Sequence, residues 1–143
     1  MATAKILIVD DEKEFSDILA ERMAGRGFEV DTVESGLQAL EQIKQKEYDA
    51  IVLDLAMPKM DGIQTLKKLL EENPDLQIIL LTGHATMDKA IEAVKQGAAE
   101  FLEKPADINL LIEKITIAQD KKTLLFEKRM EDAVSEIMKK RGW

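Results

Sequence analysis

Cysteine is absent from this chain, which excludes disulfide frameworks and thiolate metal centres. It also favours a reducing, cytoplasmic location. Long hydrophobic runs are absent as well. The longest are a few residues, such as Ile78–Leu81, far short of the roughly 20 needed to span a bilayer. The start, Met1-Ala2-Thr3-Ala4-Lys5, leads straight into a strand-like run with no signal-peptide h-region. Positive charge is in short supply. With 20 basic against 28 acidic residues, the net charge is −8. Direct nucleic-acid binding by this domain is therefore not expected, because such binding depends on Lys and Arg displacing counterions. Low-complexity segments, and repeats longer than one strand–helix unit, are also missing.

What is present suits one folded domain. A chain of 143 residues, 45% apolar and 34% charged, has the size and composition for a single hydrophobic core. Five short apolar runs read as strands: Lys5–Val9, Phe28–Val33, Asp49–Leu53, Gln77–Leu81 and Phe101–Leu102. The first, third and fourth are nearly continuous β-branched and Leu runs, as in parallel strands buried on both faces. Helical spacing fills the intervals. Phe15, Ile18, Leu19 and Met23 share one face, closed by Gly25 and Gly27. Ser35 to Gln38 reads as a capping box ahead of Leu37, Leu40 and Ile43. Ile63, Leu66, Leu69 and Leu70 stop at Asn73-Pro74. Ala90, Ile91, Ala93 and Val94 stop at Gly97, and a fifth helix begins near Asp107. Such alternation predicts an α/β fold: a doubly wound, five-stranded parallel sheet of flavodoxin-like order 2-1-3-4-5 with helices on both faces. Its functional crevice lies at the carboxyl ends of the strands, near the switch point between strands 1 and 3.

Chemistry-bearing residues stand at those ends. Strand 1 runs into Asp10-Asp11, strand 3 into Asp54, strand 4 into Thr82, and Lys104 follows strand 5. Two carboxylates about 4 Å apart repel by about 4 kcal/mol at an effective dielectric near 20. Three of them in one crevice call for a divalent cation, and hard oxygen ligands suit Mg²⁺, with Mn²⁺ as a substitute. Each residue also has a plainer reading. Asp10 and Asp11 can cap the first helix, Thr82 can be an ordinary β-branched strand residue, and Lys104 a solvated loop charge. The joint pattern is more specific than any member. It suits phosphoryl transfer, which needs positioning and neutralisation of charge on three equatorial oxygens. Asp54 would be the nucleophile, Asp10 or Asp11 would help hold the metal, and Lys104 and Thr82 would each meet a phosphoryl oxygen.

The segments Ile8 to Glu12, Asp54 to Gly62, Leu81 to His84 and Phe101 to Pro105 resemble the response-regulator receiver family of two-component signalling, across about residues 4–119. The resemblance implies a phosphoacceptor at Asp54, supplied by a sensor histidine kinase or phosphotransfer protein. It implies Mg²⁺ among Asp10, Asp11, Asp54 and the backbone carbonyl of Met57, and a cis peptide between Lys104 and Pro105. It makes Thr82 and Phe101 a coupled switch, although a ring at position 101 is also an ordinary core residue. Ala56 and His84 occupy positions that tune the lifetime of the phosphorylated state. Ala56 cannot orient an attacking water, whereas His84 could do so or could simply shield the site. A lifetime of minutes or longer is what the family resemblance leads one to expect. The domain would not be a turnover enzyme.

Three rival readings meet obstacles. A haloacid-dehalogenase-type phosphatase needs a second Asp where Ala56 stands. An FMN binder needs a Ser/Thr/Gly-rich loop after strand 1, where this chain has Asp10 to Glu14. A degenerate docking module would not need all five site residues. The chain is expected to divide into a receiver domain, 1–119, and a helical extension, 120–143. The extension carries Leu124, Leu125, Phe126, Met130, Ala133, Val134 and Ile137. A heptad counted on from Leu111, Ile115, Ala118 and Leu125 meets Lys122 and Arg129. The extension reads as a dimerisation element, the favoured reading, or as a linker to a downstream partner or effector. The alternative for the whole is a receiver belonging to a longer transcriptional regulator.

Overall fold

The computed structural model describes residues 3–55, 62–83, 87–105 and 107–141. Strands and helices alternate: β1 (Lys5–Val9), α1 (Lys13–Ala24), β2 (Glu29–Val33), α2 (Gly36–Gln45), β3 (Ala50–Asp54), α3 (Gly62–Glu72), β4 (Ile78–Thr82), α4 (Met87–Lys95), β5 (Glu100–Glu103) and α5 (Ile108–Lys140). The strands pair in parallel in the order β2-β1-β3-β4-β5. This is the expected doubly wound order.

Period-2 alternation in the strands divides the core into two layers. Leu7, Val9, Ile51, Leu53, Ile78 and Leu80 pack with Ala39, Leu66, Leu69, Ala90 and Ala93 from α2, α3 and α4. Ile6, Ile8, Val52, Ile79, Leu81 and Leu102 pack with Leu19 and Met23 of α1 and Leu111, Ile115 and Ala118 of α5. β3 and β4 are buried at every position, which accounts for their continuous apolar sequence. β2 is an edge strand with no fully buried residue, which accounts for its mixed one.

Several helix faces differ from expectation. In α2 the buried residues are Gly36 and Ala39, with Leu40 and Ile43 partly buried, while Leu37 is 63% exposed. In α4 the small Ala90 and Ala93 are buried, whereas Ile91 and Val94 are exposed. Ile18 of α1 is exposed too. Small residues let a helix approach the sheet closely, and larger neighbours on its flank are then left outside. The Ser35 hydroxyl does accept from Gln38 N–H, but the Gln38 side chain returns to Glu34 N–H, one residue before the cap. α3 begins hard against β3: a Cβ at Gly62 would meet Leu55 Cα at 2.6 Å. α4 is followed by Gly97 at φ +118°, a left-handed stop that favours glycine.

α5 starts at Asp107, whose carboxylate accepts from Asn109 and Leu110 N–H. It then runs unbroken to Lys140, a length of about 50 Å. No break falls near residue 119. Past Ala118 the domain-facing side of α5 turns charged and meets the base of the sheet. Lys122 Nζ donates to the Tyr48 carbonyl oxygen at 2.9 Å and lies 3.5 Å from Asp49. Arg129 meets both carboxylate oxygens of Asp75, at 2.8 and 3.0 Å. Lys122 and Arg129, which interrupt the heptad, thus tie the extension to the domain.

Candidate functional site

Alternation along the strands delivers three groups to one crevice. Ile6 and Ile8 point under α1, and Asp10 follows in phase. Ala50 and Val52 point the same way, and Asp54 follows them. Val9 pairs with Leu53, so one further step brings Asp10 beside Asp54. Both are buried, at 0% and 2% exposure. Lys104 follows β5 and reaches back over them. Its Nζ lies 3.2 Å from Asp10 Oδ2, 3.5 Å from Asp54 Oδ2 and 3.7 Å from Glu12 Oε1. The peptide bond from Lys104 to Pro105 is cis.

Carboxylate oxygens of Asp10, Glu12 and Asp54 lie within 4.8 Å of one another. Glu12, which the sequence reading passed over, is in this group, while Asp11 is exposed and outside it. The cause is local. Asp10 Oδ1 accepts from Glu12 N–H at 2.9 Å, so the chain turns at once and Glu12 heads α1. Asp10 is therefore spent on this turn and on the crevice rather than on a side-chain cap of α1, which has none. The signal for Glu12 was present as the third acid of an unbroken acidic run.

Among the described residues, one ammonium faces three carboxylates, so these side chains together carry an excess of negative charge. Burial pushes the Asp10 carboxyl up to about 6, and the charge of Asp54 adds to this. The Glu12 N–H and the Lys104 ammonium pull the other way. For Lys104, burial opposes the charge, but Asp54 and Asp10 outweigh it and raise the amine above its usual range. Hard oxygen donors at this spacing, with unbalanced negative charge, fit a divalent cation of the Mg²⁺ type.

Thr82 ends β4 and is fully buried, its hydroxyl donating to the Gly83 carbonyl at 3.0 Å. Phe101 pairs with Leu80. It therefore lies on the same side of the sheet as Thr82, partly buried against the layer under α2–α4. Ala56, Met57 and His84 lie outside the described residues.

Fold and crevice together define an α/β domain with a cation-attracting acid cluster at the carboxyl ends of its central strands. Residues 6–116 match the family described as the response regulator receiver domain. The transcriptional regulatory protein ZraR of Klebsiella oxytoca is 40% identical over 106 residues, 74% of this chain and 24% of that protein. The DNA-binding transcriptional regulator NtrC of Escherichia coli (strain K12) is 36% identical over 104 residues, 73% of this chain and 22% of that protein. The chain thus spans about a quarter of the length of these curated relatives. Among solved structures, a response regulator receiver domain protein from Clostridium thermocellum superposes with a TM-score of 0.82 at 35% identity, covering 85% of this chain and 98% of that one.

The chain belongs to the response regulator receiver domain family. It is a receiver domain of the two-component type, a phosphoacceptor regulatory class whose members interact with histidine kinases and effector domains. Among the described residues, no helix is long and apolar enough to cross a membrane.

Proposed function

We propose that Asp54 is the phosphoacceptor of this receiver. The observation that carries the reading is the placement of one ammonium, on Lys104, within 3.2–3.7 Å of Asp10, Glu12 and Asp54. A carboxylate oxygen of Asp54 attacks phosphorus and forms the new O–P bond. The N–P bond of a kinase phosphohistidine breaks, and its electron pair stays on the imidazole nitrogen. Lys104 meets the charge on one equatorial oxygen, and the Thr82 hydroxyl turns to donate to another. Asp10, Asp11 and Asp54, with the backbone carbonyl of Met57, are the groups that would hold Mg²⁺, with Glu12 close enough to Asp10 and Asp54 to join them. When bound, the ion supplies neutralisation of phosphoryl charge. Movement of Thr82 would free space on the face it shares with Phe101, so the ring would follow. With alanine two residues after the acceptor in sequence, the phosphorylated state would persist for minutes or longer. The domain would return phosphate slowly without turning over an external substrate.

Residues 1–119 would then be the receiver proper, and 120–143 an extension that dimerises or leads to an effector. The cytoplasm, where histidine kinases act, would be its location. The coverage of ZraR and NtrC favours a second form of this reading, in which the chain is the receiver portion of a longer transcriptional regulator. Incubation with acetyl phosphate and Mg²⁺, followed by intact mass measurement, tests the chemistry. One phosphoryl group on the wild type and none on Asp54→Asn is the expected result. No gain by the wild type, or equal gains by both, would count against it.

A further inference from the structure

The Lys104 ammonium faces more than carboxylates. Its Nζ stands 4.5 Å from the centroid of the Phe15 ring. That ring is half-buried in α1 and packs against the core layer between α1, α5 and the sheet. A cation over an aromatic face is held by the ring quadrupole, and the attraction strengthens as water is excluded. The Lys104 side chain is only 19% exposed, so the contact lies largely out of water.

The rest of the surroundings leaves the ammonium under-determined. Three acceptors lie at 3.2, 3.5 and 3.7 Å, and a lysine side chain is a flexible stem with a point charge. Glu12 is the most exposed of the three, at 68% for its side chain. It offers an outward position away from the acceptor strand. Phe15 stands three residues on from Glu12, on the same side of the first turn of α1. Its ring therefore adds an attractive wall on the α1 side.

We infer that Phe15 is a positioning residue for Lys104: its ring face seats the ammonium beside Asp10 and Asp54, within reach of an anionic oxygen arriving at Asp54. The seat involves only Phe15, Lys104 and the acids around it. Its consequence for phosphoryl uptake rests on the reading of Asp54 as acceptor. A preplaced charge needs no reorganisation when the phosphoryl donor arrives. Phe15 itself touches no reacting atom.

The test separates the electrostatics of the ring from its packing. Phenylalanines carrying one, two or three ring fluorines are placed at position 15, which drains the ring face while barely changing shape. Phe15→Tyr and Phe15→Leu complete the series. Two quantities are read. By NMR on the metal-free protein, the Lys104 Cε protons should show an upfield ring-current displacement in the wild type and Phe15→Tyr, lost in Phe15→Leu. With acetyl phosphate and Mg²⁺, the initial rate of phosphoryl uptake should fall stepwise with each fluorine, about 3- to 10-fold by the third. Phe15→Tyr should stay near wild type, and the thermal midpoint should hold across the fluorinated set. Absence of the displacement in the wild type overturns the seat, and so does a flat rate across the fluorinated series. A wild type that shows the displacement yet gains no phosphoryl group sinks the reading of Asp54 while supporting the seat.

Discussion

Asp10 is fully buried beside Asp54, and burial raises its carboxyl to about 6. In the unfolded chain the group titrates near its ordinary value of 3.8. The folded protein therefore holds the proton more tightly, and between those two values the unfolded state binds fewer protons. Stability of the metal-free protein then falls as pH rises from about 4 to 6, by up to about 3 kcal/mol from this one group. The loss is complete above pH 6. Asp10→Asn keeps an oxygen for the Glu12 N–H and removes the charge. Urea denaturation at pH 7 without metal should find Asp10→Asn more stable than wild type by about 1–3 kcal/mol. Adding Mg²⁺ should stabilise the wild type markedly and the variant little. A variant less stable than wild type without metal, or stabilised equally by Mg²⁺, would contradict this. The positions of Asp10, Asp54, Thr82 and Lys104 were legible in the sequence because each stands where a recognisable strand ends. Phe15 was not, because its part depends on how tightly the chain turns into α1. Glu12 stood there as the third acid of the run, but only that turn shows which acids face Asp54.

At the scale of elements, the strand order followed from five alternations and a few chain-connection rules. The helix faces did not follow as well. Counting apolar residues marks Leu37, Ile91 and Val94 as buried, but close packing through Gly36, Ala39, Ala90 and Ala93 leaves them exposed. Periodicity shows which side of a helix is apolar and says nothing of how near its axis comes to the sheet. α5 offers the sharpest contrast. Lys122 and Arg129 look like breaks in a stripe until the base of the sheet is in view. A charged hydrogen bond to a carbonyl contributes about 1.5–3 kcal/mol, and an exposed bidentate pair about 0.2–1 kcal/mol. Ending the chain after residue 119 should therefore lower stability by about 1–3 kcal/mol, whereas ending it after residue 131 should cost little. Thermal or urea unfolding of the two truncations checks this. Equal stability would show that the extension does not support the domain.

At the scale of the molecule, α5 presents two different surfaces. One lies on the domain through Leu111, Ile115 and Ala118 and continues into Lys122 and Arg129. The other, beyond the base, exposes Phe126, Met130, Val134 and Ile137, each more than half exposed. A second copy covering that stripe would place two receivers side by side. Light scattering should then give a dimer mass for residues 1–143 and a monomer mass after deletion of 121–143. The same monomer-like mass for both would refute dimerisation by the extension. The proposed function itself rests on which aspartate is the acceptor. Borohydride reduction after treatment with acetyl phosphate and Mg²⁺ converts an aspartyl phosphate to homoserine, and peptide mass spectrometry then reports its position. Homoserine at position 54 and at no other aspartate is the expected result. Homoserine at position 10 or 11, with Asp54 unchanged, would contradict the assignment.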